Sequence, residues 1–217
     1  MYRTVGLLLG GESVPGAKGQ ATRERILCAA MELINRKSFH HTSIRDILAA
    51  SDVGKGDLYF HFASKEELGL ALVAKAKEDY LAYLEASLKS RSPLGQVGDI
   101  FLAVYRLHRH RRFMGGCIFG NIALEMSDDN PRFAAAIREV FHEWIGLLSR
   151  LLAQARTEGE LDAAIQPEAI ARHIVASLEG AIMMARLTKQ EDEILNCIQA
   201  FENMLGIPLP HRIRCGS

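Results

Sequence analysis

From Gln20 onward, apolar residues recur at spacings of three and four along almost the whole chain, the period of a helix that buries one face. Ile26, Leu27, Ala30, Leu33 and Ile34 form the stripe of a first helix, and Ile44, Ile47 and Leu48 that of a short second one. Leu58 and Phe62 mark a short third helix, and Leu68, Leu72, Ala76 and Leu81 a long fourth running toward Leu88. The pattern breaks at residues 90–95, 114–116, 127–131, 158–167 and 187–191, which predicts five further helical stretches. Pro131 and Pro167 suit first turns, and Gly159 suits the end of a long helix over residues 133–158. No alternating run is long enough for a strand, and no internal repeat is present. The predicted fold class is all-α.

The second and third helices lie close together, and their spacing carries chemistry. Asp52-Val53-Gly54 interrupts the pattern, with Gly54 expected to take the left-handed conformation that a sharp corner requires. Leu58 and Phe62 can then close against Ile44 and Leu48, leaving Lys55, Gly56, Tyr59 and His61 on the wet face. Ser64 and Glu67 have the spacing of a capping box, which places Lys65 at a helix N-terminus. Free amides beside a lysine suit a phosphate, and a short helix carrying Lys, Gly and Tyr fits a major groove. Spacing alone equally allows an ordinary three-helix packing unit with those residues on its surface.

Thr42-Ser43-Ile44, Val53-Gly54-Lys55-Gly56, Leu58-Tyr59-Phe60-His61-Phe62 and Ser64-Lys65-Glu66-Glu67-Leu68 closely resemble the DNA-binding signature of the TetR family of bacterial repressors. The resemblance runs without a gap over residues 20–74. It implies an N-terminal three-helix helix-turn-helix DNA-binding domain followed by a helical ligand-binding and dimerisation domain. The corresponding division is an arm over 1–19, the DNA-binding domain over 20–64, the effector-binding and dimerisation domain over 65–206 and a tail over 207–217. Carried onto this chain, the family pattern makes Lys55, Gly56 and Tyr59 recognition-helix contacts, directs His61 and Lys65 to phosphates, and adds Ser43 and Arg45. Phe60 departs from it, since many relatives have a second tyrosine there and its hydroxyl is absent here. Asp57 either accepts from cytosine N4 or, as we favour, caps its own helix. The implied function is a regulator, most simply a repressor, that binds a palindromic double-stranded DNA operator as a homodimer and is released by an unknown small-molecule effector.

Composition narrows the alternatives. Net charge is zero, with 26 basic and 26 acidic residues, which argues against electrostatic coating of nucleic acid and leaves binding to local charge. No segment has the roughly 18 apolar residues of a membrane span. Residues 5–9 are too short an apolar patch for a signal peptide, so the opening segment reads as a disordered arm. Four cysteines, Cys28, Cys117, Cys197 and Cys215, lack paired spacing, which suits a reducing cytoplasm. There is no nucleophile elbow, Gly-rich phosphate loop or paired metal motif. An enzyme is therefore not expected, nor a metal or cofactor. An all-helical small-molecule-binding protein or enzyme using the N-terminal helices structurally is the alternative.

The middle of the chain should hold the effector. Phe101, Tyr105, Phe113, Phe119, Trp144, Leu148, Met183 and Met184 are candidates to line an internal apolar cavity, or simply to form core. The run Arg106 to Arg112 concentrates positive charge near a helix end, where it complements the dipole, or turns Arg106 or His108 inward toward an anionic effector. His108 and His110 are two apart and do not share a helix face, so no metal is assigned. Cys117 follows Gly115-Gly116 close to a helix start and to the arginines, both of which favour a thiolate. This segment resembles that of a TetR subgroup regulating electrophile-detoxifying enzymes, which makes Cys117 a candidate effector contact. Glu125, Asp128 and Asp129 read as a solvated turn. The resemblance also implies that the last two helices form the dimer interface, through Ile174, Leu178 and Ala181 on one and Ile198, Phe201 and Leu205 on the other.

Overall fold

Local chemistry sets the helix ends. In the computed structural model, which describes residues 17–207, nine helices and no strand occur among the described residues. They are α1 (Ala17–Lys37), α2 (Ile44–Ser51), α3 (Lys55–His61), α4 (Lys65–Ser87), α5 (Pro93–His110), α6 (Ile118–Met126), α7 (Pro131–Thr157), α8 (Pro167–Thr188) and α9 (Asp192–Leu205). The expectations for the N-terminal arm up to residue 16, for most of the C-terminal tail and for Cys215 lie outside the described residues. Pro131 and Pro167 each open a helix, where a missing N–H costs nothing. After α7, Gly159 turns left-handed at φ 77°, and the Glu160 N–H donates back to the Ala155 carbonyl at 2.9 Å.

The chain forms two compact units. The first comprises residues up to Asp79 together with Ile118–Ile137, and the second comprises Tyr80–Cys117 with the chain from Arg138 onward. In the first, Ile26, Leu27, Ala30 and Ile34 of α1, Ile47 of α2 and Leu58 of α3 are buried together with Phe62, Leu68 and Leu72. Phe39 and Phe133 meet edge-to-face with centroids 5.0 Å apart. They approach α4 so closely that a Cβ on Gly69 would lie 2.4 Å from Phe39 Cε2, so no larger residue fits at that position. In the second unit, α5 is buried from Pro93 to Tyr105 except at Gln96 and Asp99. It packs in a core with Trp144, Leu148, Leu152, Ile174, Leu178, Ile198 and Phe201. Trp144 meets Tyr80 edge-to-face at 5.4 Å.

Candidate nucleic-acid interface and ligand core

The corner between α2 and α3 is built differently from its expected form. Asp52, not Gly54, takes the left-handed conformation, at φ 52° and ψ 46°, while Gly54 is extended. Aspartate tolerates that region because its short polar side chain supports it locally. The corner is held from outside by Arg25, whose Nη2 donates to the Asp52 carbonyl at 2.8 Å. A complete capping box does occur, but at the start of α2: Ser43 Oγ accepts from Asp46 N at 3.1 Å, and Ser43 N donates to Asp46 Oδ2 at 3.0 Å. At the start of α4 the serine half forms, Ser64 Oγ accepting from Glu67 N at 3.1 Å. The Glu67 carboxylate instead accepts from Arg132 at 2.7 Å.

This scaffold divides the short helix α3 cleanly. Leu58 is fully buried and Phe62 nearly so, while Lys55, Gly56, Asp57, Tyr59 and Phe60 face outward. Lys55 Nζ sits 5.9 Å above the Tyr59 ring, an i,i+4 pair that orders both side chains on one surface. A Cβ on Gly56 would meet nothing within 4 Å, so the helix offers its bare backbone there. Asp57 does not cap: Gly54 is the N-cap without a side-chain bond, and Asp57 lies in the first turn with its carboxylate folded toward Gly54. It complements the helix dipole instead. Ser43 and Arg45 are exposed at the start of α2, although the Ser43 hydroxyl is committed to Asp46, donating to Oδ2 at 2.9 Å. His61 is half-buried with its ring 5.1 Å from that of Phe60.

Lys65 is less free than its position suggests. Its Nζ donates to the His40 carbonyl at 3.4 Å and lies 4.5 Å above the Phe39 ring, and burial holds its pKa below the ordinary lysine value against the pull of Glu125. The reading of Glu125 as part of a solvated turn is overturned. Its carboxylate accepts from the backbone N–H groups of Phe39 at 2.8 Å and His40 at 2.6 Å. Burial pushes the Glu125 pKa up, but those two backbone bonds and the Ser38 hydroxyl outweigh it and hold the carboxyl below its ordinary value. The segment leading from α1 to the α2 cap is thereby tied to α6. Sequence reasoning missed this because the partners are 85 and 86 residues apart.

In the second unit, Phe101, Tyr105, Phe113, Trp144 and His108 are all buried. Tyr105 donates its hydroxyl to Glu191 Oε2 at 2.7 Å, and burial with that carboxylate pushes its pKa up to about 12. His108 does face inward, but burial, aided by Arg111, pushes its pKa down to about 4, so the ring is uncharged near neutrality. Arg106 is exposed. Neither residue therefore supplies the buried positive charge that an anionic effector was expected to meet. Met183 and Met184 are 59% and 39% exposed and line no interior. Conversely Ile174, Leu178, Ala181, Ile198, Phe201 and Leu205, expected at a dimer interface, face the chain's own core. The three-four spacing was legible, but a helix with apolar residues on two faces does not announce which face turns inward.

Cys117 lies directly before α6, after the left-handed Gly115 and Gly116. Its thiol hydrogen-bonds to the carboxyl of Glu179 on α8, a residue the sequence did not single out. Burial pushes Glu179 up to about 7, against the opposing Cys117 bond.

Comparison with known proteins covers both units. Residues 26–72 match the family model described as bacterial regulatory proteins, tetR family, and residues 93–201 match the tetracyclin repressor-like C-terminal domain. The chain is 31% identical over 186 residues to the transcriptional regulator AcuR of Cereibacter sphaeroides, covering 82% of each chain. It is 25% identical to the HTH-type transcriptional repressor NemR of Escherichia coli, over 86% of this chain and 95% of that one. The crystal structure of a TetR transcriptional regulator from Chloroflexus aurantiacus superposes with a TM-score of 0.79 at 29% identity, covering 86% of this chain and 96% of the other.

Proposed function

Because the chain belongs to the TetR family of bacterial regulatory proteins, whose members are DNA-binding transcriptional regulators and not enzymes, we propose that it represses transcription by binding a palindromic operator as a homodimer and leaves the DNA when a small-molecule effector binds. The observation that carries the reading is the division of α3, with Leu58 fully buried and Lys55, Gly56, Tyr59 and Phe60 all on the outside. In this reading residues 20–64 read DNA, Tyr59 and Lys55 contact base edges, and Arg45, Ser43 and His61 hold the adjoining backbone. Lys65 is bound back to His40, so it contributes chiefly to the local field. The repressor name of the Escherichia coli relative supports the direction of regulation.

A single seven-residue recognition helix reads only a few base pairs, so a palindrome requires two copies. The outward faces of α8 and α9 suit the pairing. Ala176, Gly180, Met183, Met184 and Leu187 fall at helical spacing on one, and Asn196, Ala200, Asn203 and Met204 on the other. A Cβ on Gly180 would meet nothing within 4 Å, leaving room for a close approach. This face replaces the inward stripe as the proposed interface.

Selection of bound molecules from a random duplex pool tests the proposal. Enrichment of a palindrome with half-sites about one helical turn apart, lost in Tyr59→Ala, is the expected result. A folded protein that enriches no sequence would overturn it and favour the reading as a ligand-binding protein that uses its N-terminal helices structurally.

A further inference from the structure

Exposure rises in steps along α3. Leu58 is 0% exposed, Tyr59 44% and Phe60 84%, the progression expected of successive positions turning about 100° around a helix from its buried side. Gly56 and Phe60 each stand two residues from Leu58, about 200° around the helix, so they share the face turned most directly away from the core. A Cβ on Gly56 would meet nothing within 4 Å. The middle of the outward face is therefore bare backbone in the first turn and a phenyl ring in the next. A single exposed apolar residue is ordinary on a protein surface; Phe60 is set apart by its place at the centre of the face proposed to meet DNA.

The chemistry of the ring narrows what it can meet. It has no donor or acceptor, so it makes no conventional hydrogen bond to a phosphate or a base edge. Polar contacts on one flank fall to Lys55 and Tyr59, whose Nζ and ring lie 5.9 Å apart. On the other flank His61 meets Phe60 edge-to-face, with centroids 5.1 Å apart and planes at 80°, which limits the swing of the ring to that side. In the major groove, the apolar group that base edges present is the C5-methyl of thymine.

We propose that Phe60 is a specificity-determining residue that reads a thymine in each operator half-site by packing its ring on the C5-methyl group. This rests on the DNA-binding reading above and assigns to Phe60 a base that the reading leaves open. Gly56 lets the first turn of α3 lie close to the groove, and the ring one turn on reaches the methyl group. Burying one methyl group corresponds to about a fourfold preference in affinity.

The test runs the random-duplex selection side by side with the full-length parent, Phe60→Ala and Phe60→Leu. Phe60→Ala should enrich the parent's palindrome at the same half-site spacing but lose the preference for thymine at one position in each half-site, whereas Phe60→Leu should keep it. That thymine is then replaced by deoxyuridine, which pairs identically and lacks only the methyl group, in both half-sites. In fluorescence anisotropy the parent should bind the uracil duplex about fifteenfold more weakly than the thymine duplex, about fourfold per half-site, and Phe60→Ala should bind the two alike. Salt of about 50 mM keeps weakened complexes measurable, since phosphate contacts tighten them all. Coincident thermal melts check that the variants fold, as substitution of so exposed a residue predicts. A thymine preference unchanged in Phe60→Ala, a palindrome with no preferred thymine, or a uracil duplex bound by the parent as tightly as the thymine duplex would each overturn the proposal and leave DNA reading standing. A folded parent that enriches no palindrome removes the DNA-binding reading and this contact with it.

Discussion

In the N-terminal unit, the turns that set the outward-facing side chains are closed by hydrogen bonds: Ser43 with Asp46, Arg25 on the Asp52 carbonyl, and Glu125 on the backbone of Phe39 and His40. In the C-terminal unit, an indole N–H and a carboxylate oxygen lie buried with no bond at all. The first arrangement fixes the backbone that carries those side chains, so that, on the function proposed, DNA would meet a surface that need not reorganise. The second leaves polar groups unsatisfied, a cost to stability that a bound partner would remove. A reading surface benefits from completeness, whereas a sensing core benefits from a deficit.

The contrast is easiest to break at the buried side of α3. Leu58→Ala empties a fully buried site and should destabilise the N-terminal unit by about 2–5 kcal/mol. Circular dichroism melts should show an early transition for that unit, with DNA binding lost alongside it. Tyr59→Ala and Lys55→Ala should instead leave the melt unchanged and weaken specific operator binding by about 1–3 kcal/mol each, read by fluorescence anisotropy. If Tyr59→Ala binds the operator as the parent does, the division of α3 does not define the reading face.

The C-terminal deficit has a pH signature. Glu179 moves from an ordinary 4.5 to about 7 on folding, so the folded state holds the proton more tightly than the unfolded chain. Its contribution is fully present below about 4.5 and is lost as pH rises toward about 7. Glu179→Gln should flatten that part of the stability curve, by an amount on the order of 1–2 kcal/mol between pH 5 and 8, measured by urea unfolding. A slope unchanged by the substitution would mean that Glu179 is better solvated than its surroundings indicate. The smallest effect belongs to the corner: Asp52→Gly should stay within a few tenths of a kcal/mol of the parent, while Asp52→Val should cost about 1–2 kcal/mol because a β-branched residue resists the left-handed region.

Local signals made most of the helix boundaries readable. The apolar stripes of α1 to α4, the proline starts of α7 and α8 and the break at Gly159 all follow from short-range patterns, and the helices lie close to where those patterns put them. The corner misled because Gly54 and Asp52 are both compatible with a left-handed turn, and only the backbone distinguishes them. Glu125, Gly69 and Glu179 were out of reach for another reason. Each matters through a partner brought near by tertiary packing: the Phe39 amide, the Phe39 ring and the Cys117 thiol. The family resemblance singled out residues of α3 that do lie on its outer face, but it could not tell which side of α8 turns inward, since Ile174 and Met183 are equally apolar in sequence and opposite in exposure.

Because the N-terminal unit takes in residues 118–137 as well as those up to Asp79, it is not a segment that can be cut from the chain and grafted elsewhere. A fragment ending at residue 79 would lack both the Glu125 bonds to Phe39 and His40 and the Phe133 ring against Phe39. Recombination between relatives that swaps the heads at a single crossover would therefore pair each borrowed head with a foreign α6. A sound chimera needs two further crossovers, so that the helix carrying Glu125 travels with the loop it secures.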